Sequence, residues 1–265
     1  MYRKIAPVGL TILLLLAGCS ENTTDNSLSA GDGRLKLYLT DAPASYDAVN
    51  VNVLRVEVHR SGMDSTSGWS VIESQPATYD LIQLRNGAMA VMGDTSLPAG
   101  SYTQIRLILG EGCTVVVDGV PHDLSVPSGP QTGIKLNTPF VIEAGKLYEL
   151  TLDFDADKSI HRTGNGQYKM SPVIRVQATA ISGEIEGVVL PAAAKPLVRT
   201  IVGTDEVSAV ADSLTGRYRF VALPEGVYAL SFSSLALTHR DTTVTGILVT
   251  AQETTAVDTM WLQPQ

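Results

Sequence analysis

The chain is poor in cysteine, in positive charge and in long apolar runs, and each shortage removes a class of protein. Only Cys19 and Cys113 occur among its 265 residues. Cys19 has another use, argued below, so no internal disulfide is available and stability has to come from packed cores. Its 19 basic residues face 27 acidic ones, a net charge of -8, which argues against nucleic acid as a partner. After residue 17 no apolar run approaches the roughly 20 residues that a membrane-spanning helix needs. Sustained 3.6-residue periodicity is missing as well, so no helical domain is expected. Aromatic residues make up 6% of the chain. Trp69 and Trp261 are the only tryptophans, and each sits in an apolar alternation that suits a core better than a stacking platform for sugars. The four histidines, His59, His122, His161 and His239, lack metal-ligand spacing, and neither Gly-x-Ser-x-Gly nor His-Glu-x-x-His occurs. No catalytic residue is expected.

What is present begins at the N-terminus. Arg3 and Lys4 precede an apolar stretch over residues 8–17, and Leu13 to Leu16, Ala17 and Gly18 lead directly into Cys19. So short a stretch has the length of a signal peptide. It resembles a bacterial lipobox. That resemblance implies that residues 1–18 are a removed leader and that Cys19 is acylated, leaving the chain held at a membrane by lipid alone. Ser20 is not the aspartate that marks inner-membrane retention in well-studied Gram-negative sorting, so the resemblance points to the outer membrane. Losing Arg3 and Lys4 with the leader leaves 17 basic against 27 acidic residues, a net charge of -10. Residues 19–33 read as a flexible tether, because Ser, Thr, Asn, Asp and Gly dominate them.

From Arg34 onward the apolar residues alternate. Leu35, Leu37 and Leu39 share one face, followed by Val49, Val51 and Val53, then Val56 and Val58. This period of two predicts half-buried strands. Further strands are expected at 69–72, 102–109, 114–117, 140–142, 147–154 and 173–180, separated mostly by turn residues. Residues 81–92 are the main exception, but Asn86-Gly87 in their middle signals a hairpin between two short strands. A composition break at Ile181-Ser182-Gly183 opens a second series of about seven strands within 182–265, the density of a small β-sandwich. One corner recurs in both halves, Leu97-Pro98-Ala99-Gly100-Ser101-Tyr102 and Leu223-Pro224-Glu225-Gly226-Val227-Tyr228, each leading into a strand. The fold expected is all-β, with two sandwiches in tandem over 34–180 and 182–265.

Several separated stretches carry a family resemblance. LTDAPASYDAVNVNVLRVEVHRSG (39–62), DLIQLRNG (80–87), LPAGSYTQIRL (97–107), VPSGPQTGIKL (126–136) and LDFDADKSIHRTGNGQYKMSPVIR (152–175) together resemble the DUF4382 family, a domain of unknown function found mostly in bacterial lipoproteins. Through GEIEGVVL, VADSLTGRYRF and LPEGVYALSF, the second module is similar to carboxypeptidase regulatory-like or transthyretin-like domains, which are usually accessory and imply no peptidase. The combination implies a non-enzymatic envelope lipoprotein that binds or scaffolds a protein or glycan. A carbohydrate-binding component of a surface glycan uptake system is the alternative.

One constellation invites a ligand. Asp153, Asp155 and Asp157 alternate with Leu152, Phe154 and Ala156, so a continuing strand would gather three carboxylates on one face, where a hard cation such as Ca²⁺ would relieve their repulsion. The glycine and terminal glutamate of a calcium loop do not follow, however, and Lys158 beside the triplet can neutralise it without an ion. Thr40-Asp41-Ala42-Pro43 reads as a turn in which Asp41 bonds back to its own backbone. The family resemblance carries both this segment and the triplet, which allows them to meet at one end of the sandwich. Cys113 is expected as a partly buried small residue, His59 as hydrogen-bonded in a strand and His161 as a loop residue. The loop over 126–135 lacks the following helix that a phosphate cradle uses.

Overall fold

A computed structural model describes residues 31–265 apart from 43, 74 and 128. Cys19 and the leader lie outside the described residues. The first module contains β1 (Asp32–Asp41), β2 (Ala48–Arg60), β3 (Trp69–Glu73), β4 (Ala77–Asp80), β5 (Ala90–Pro98), β6 (Gly100–Leu109) and β7 (Thr114–Val117). It continues with β8 (Val120–Ser125), β9 (Ile134–Leu136), β10 (Phe140–Ile142), β11 (Leu147–Phe154), the single-turn helix α1 (Ala156–Ser159), β12 (Ile160–Arg162), β13 (Tyr168–Met170) and β14 (Ile174–Ala178). The second module contains β15 (Ser182–Leu190), β16 (Pro196–Val202), β17 (Asp205–Val210), β18 (Arg217–Pro224), β19 (Gly226–Ser234), β20 (Thr242–Val249) and β21 (Thr254–Trp261).

The fold is all-β and built of sandwiches. In the first module a four-stranded sheet, ordered β14-β11-β1-β5, faces a ten-stranded one whose spine runs β10-β6-β2-β7-β8-β13-β12. The second module packs β18-β15-β21 against β17-β16-β19-β20. Each module has its own apolar cluster, one drawn from residues 35–170 and the other from 185–262. Leu35, Leu37 and Leu39 point into the first cluster, as do Val49, Val51 and Val53. The switch to Val56 and Val58 has a local cause: β2 slips against β6 between Val53 and Arg55. Such a bulge resets which parity faces the core, so both valine sets stay buried.

The repeated corner is built twice. The Tyr102 hydroxyl donates to the Pro98 carbonyl at 2.9 Å, and the Tyr228 hydroxyl donates to Pro224 at 2.7 Å. Each phenol thereby ties the start of its strand to the chain four residues earlier, as in the tyrosine corners of other sandwiches. Tyr102 also stacks on Phe140 with centroids 5.3 Å apart.

The structure corrects four expectations. The first strand starts at Asp32, inside the segment read as tether; a Cβ on Gly33 would lie 2.3 Å from the Glu143 carbonyl, so Gly33 is a packed position of the sandwich. Asn86 and Gly87 both have positive φ but join no hairpin: a 3-10 turn over Leu81–Leu84 precedes them, β4 pairs with β2, and β5 pairs with β1. The turn instead carries the chain from one sheet to the other. Neither tryptophan is in a core. Ile72 is the buried residue of β3, so Trp69 and the exposed Val71 share its outward parity. In β21 an extra residue opposite Gly187–Val189 flips the alternation, turning Met260 and Leu262 inward and leaving Trp261 62% exposed. Finally, His161 lies in β12 rather than in a loop.

Candidate functional site at the junction of the two modules

The small sheet of the first module has an outward face that alternation defines. With Leu150, Leu152 and Phe154 buried, Glu149, Thr151 and Asp153 of β11 point away from the core, beside Tyr38 and Thr40 of β1 and Arg175 of β14. Thr40 and Thr151 are nonetheless buried. Thr40 donates to the carbonyls of Leu84 and Ala88 at 2.9 and 3.0 Å, whereas Thr151 and Asp153 sit where the second module leans on the sheet. A covered outward face needs partners for its polar atoms.

Arg175 supplies the main one. Its guanidinium pairs with Asp153 at 2.7 Å and donates across the junction to the carbonyls of Ala222 and Val221 at 2.7 and 3.4 Å. Those carbonyls are free for a structural reason. Between Gly183 and Ile185 of β15 the register against β18 slips, so Val221 and Ala222 occupy a bulge, with Ala222 at a φ of 53°. A bulge leaves its extra residue out of the ladder and re-aims its polar groups. A second brace comes from Lys158, which pairs with Asp155 at 2.9 Å and donates to the Glu206 carbonyl on edge strand β17.

The aspartate triplet is therefore parted. Strand alternation stops at Phe154, and Asp155 becomes the N-cap of α1, accepting from the Lys158 amide at 2.9 Å. Asp153 belongs to Arg175, and Asp157 is exposed on the helix. The three carboxylates do not share one face, and among the described residues no group of three or more His, Cys, Asp or Glu is placed to hold a metal ion.

Asp41 does meet this segment, though not as a local turn. The parallel pairing of β1 with β11 sets Thr40 opposite Asp153 and Asp41 opposite Phe154. Asp41 Oδ1 accepts from the Ala156 amide at 3.1 Å, while its Oδ2 is buried with no partner. Burial pushes its carboxyl up to about 9, the Ala156 amide opposes, and Asp153 and Asp155 add to the rise. Burial likewise pushes Asp153 upward, against the pull of Arg175.

Beside these braces lies a cleft of about 400 Å³, lined by Tyr38, Glu149 and Thr151 of the first module and Glu184, Gln252 and Glu253 of the second. Tyr38 donates to Glu149 at 2.8 Å, and Glu184 pairs with Arg219 and accepts from Thr254 at 3.0 Å. No Lys, Arg or His lines the cleft among the described residues. Such a lining can bind neutral or cationic groups.

The remaining candidates are packed or solvated. Cys113 is 5% exposed, its thiol pushed up by burial, with Sγ donating to the Gly110 carbonyl at 3.7 Å. His59 bonds the carbonyls of Asp64 and Ser67 at 2.8 and 3.1 Å. Gly133 is followed by β9 and no helix. Sequence reasoning missed Arg175 and the Val221–Ala222 bulge. The available signal was that Arg175 and Asp153 both occupy outward parity on strands that proved to be neighbours.

Two tandem β-sandwiches, cross-braced by hydrogen bonds from Arg175 and Lys158 to backbone carbonyls of the second, define the class. Residues 32–172 match the family described as "Domain of unknown function (DUF4382)", and the chain belongs to that family. No curated protein matches it. Among solved structures it is similar to a putative adhesin from Bacteroides ovatus, at 10% identity and a TM-score of 0.27 over 95% of this chain and 99% of that one. It is also similar to GBS52, the minor pilin of Streptococcus agalactiae, at 11% identity and a TM-score of 0.24 over 87% and 96% of the two chains. A third likeness is to the Bacillus anthracis TIE protein, at 11% identity and a TM-score of 0.23 over 88% of this chain; the chain spans 34% of that protein's length. None of these values assigns an activity to the chain. Among the described residues no helix is long and apolar enough to cross a membrane.

Proposed function

We propose that the protein is a non-enzymatic lipoprotein of the bacterial envelope, anchored in the outer membrane through Cys19, which presents a braced pair of β-sandwiches as a binding or scaffolding body for a protein or glycan. The observation that carries this reading is the run from Leu13 to Cys19 directly ahead of a polar segment. The braces at Arg175 and Lys158 support it, since they make the two modules one body on one anchor. We read the second module as an accessory carboxypeptidase regulatory-like domain, in keeping with its three-plus-four arrangement of strands. No cofactor is assigned: Arg175 and Lys158 already neutralise Asp153 and Asp155. The test is Cys19→Ala in cells fed a palmitate label. Loss of label and release from the membrane fraction are expected, and membrane retention without label would overturn the anchor.

The alternative, a carbohydrate-binding component of a glycan uptake system, draws on Trp261, whose exposed ring on edge strand β21 is the kind of surface on which sugars stack. Quenching of its fluorescence by neutral oligosaccharides, lost in Trp261→Ala, would move the assignment to this reading.

A further inference from the structure

The cleft between the modules has a floor of hydroxyls that the protein itself leaves poorly bonded. Thr151, 3% exposed, points out of β11 toward the second module, and the only partner of its hydroxyl among the described residues is Thr179 Oγ1 at 3.5 Å. A good hydroxyl hydrogen bond is shorter, about 2.7–2.8 Å. Ser182, equally buried, has a long bond too, its Oγ donating to the Thr179 carbonyl at 3.3 Å. Buried polar groups ordinarily find close partners. Glu149 forms one wall and is held by the Tyr38 hydroxyl through Oε1. The facing rim is a built turn. A Cβ on Gly183 would lie 2.2 Å from the Thr250 carbonyl, so glycine is what lets residues 250–253 close against the start of β15. There the Gln252 amide donates to the Ser182 carbonyl at 2.8 Å, and the Glu184 amide to the Glu253 carbonyl at 2.9 Å. Gln252 and Glu253 are thereby set on the cleft, and their side chains have no hydrogen bond or ion pair among the described residues.

We propose that this cleft is a binding site for a neutral sugar residue of a glycan, gripped by both modules at once. The inference rests on the reading of the protein as a binding body for a glycan. Sugar hydroxyls both donate and accept, and the lining answers each role. Glu149 and Glu253 accept, the Gln252 amide does both, and the Thr151 and Ser182 hydroxyls rotate to suit. Met89 and Val221 add apolar surface for the carbon-bound hydrogens of the ring. At about 400 Å³ the space falls within the roughly 300–1,000 Å³ of small-molecule sites. Charge sets the selectivity. No Lys, Arg or His lines the cleft among the described residues, and Arg219 beside it pairs with Glu184. Lys36, opposite Glu149 on the sheet, lies over the Tyr38 ring with Nζ 5.0 Å from the centroid. A uronate, sulfated or phosphorylated sugar would meet carboxylates without a counter-charge, so such sugars are rejected. A simple amine would suit the carboxylates but leave the hydroxyl floor as it is. Glu149 and Thr151 belong to the first module, Gln252 and Glu253 to the second, so a bound sugar links the two sandwiches beside the Arg175 and Lys158 braces.

An array of neutral, amine-bearing, uronate and sulfated glycans, probed with the full chain in detergent, tests this, with the strongest neutral glycan then titrated by calorimetry. Neutral glycans should be retained and acidic ones not. Thr151→Val, of the same shape without the hydroxyl, and Glu253→Ala, at an exposed position, should each weaken the calorimetric affinity at least fivefold. The melting temperature of the unliganded Glu253→Ala protein should stay that of the parent. Trp261→Ala should bind as the parent does. Loss of binding in Trp261→Ala, with Thr151→Val and Glu253→Ala unaffected, would overturn the cleft as the site and leave the glycan reading standing. Retention of amine-bearing or acidic glycans alone would overturn the neutral sugar. Retention of none would overturn both the site and the glycan reading on which it rests.

Discussion

A carboxyl group with one oxygen buried and unpartnered is far costlier charged than neutral, and for Asp41 this fixes a sign. Its folded value of about 9 lies above the ordinary 3.8. The associated stability is therefore fully present below about pH 4 and is lost as pH rises through about 9, because the folded state holds a proton that the unfolded chain has released. At pH 7 the loss is on the order of 4 kcal/mol, since each pH step above the ordinary carboxyl value costs roughly 1.4 kcal/mol while the folded group stays protonated. Asp41→Asn, with the same shape and no charge, should flatten urea-denaturation midpoints between pH 5 and 9 and be the more stable protein at pH 8. A steeper or unchanged pH profile would contradict it. The corner tyrosines make a smaller case of the same kind. Tyr102→Phe and Tyr228→Phe each remove one hydrogen bond to a proline carbonyl, and each should cost about 1 kcal/mol in equilibrium unfolding.

Among the elements, the bulge in β18 and the pair Asp153–Arg175 form one device. Arg175→Met should be far more damaging than removal of an exposed arginine, by about 3–5 kcal/mol, because Asp153 would be left buried without its partner. Thermal unfolding of Arg175→Met and of Asp153→Asn with Arg175→Met should show the second change recovering part of the loss. The end of β11 bears on calcium. Asp155 caps α1 and binds Lys158, so millimolar Ca²⁺ should leave the calorimetric melting temperature unmoved. Asp155→Ala should lose about 1 kcal/mol through the cap alone.

The strands themselves were legible in the sequence, since alternation such as Leu35, Leu37, Leu39 is dictated by burial of one face. Phase was not. The slips near Val53, Gly183 and Gly187 depend on the partner strand, which no local pattern contains, and the last of them misplaced Trp261. The covered face of the small sheet was hidden for a related reason. Thr151, Asp153 and Arg175 look like ordinary solvent-facing polar residues until a second module is laid over them.

For the molecule as a whole, two separate apolar clusters predict that fragments 31–180 and 182–265 each unfold cooperatively, with the start set at 31 because β1 opens at Asp32. Circular dichroism of either fragment alone without a cooperative transition would refute this. The first fragment should melt below the full chain, since its Asp153–Arg175 face loses its cover. The parallel pairing of β1 with β11 has a further consequence, for the order of events as the chain folds. Arg34 to Asp41 must find Leu147 to Phe154, across more than a hundred residues of intervening chain. A chain that emerges from its N-terminus presents β1 well before its parallel partner, so one edge of the earliest strand stays open until residue 154 has followed. Ring closure over so long a span is slow. A chain stopped short of residue 154 would therefore carry an apolar strand edge free to pair with its neighbours.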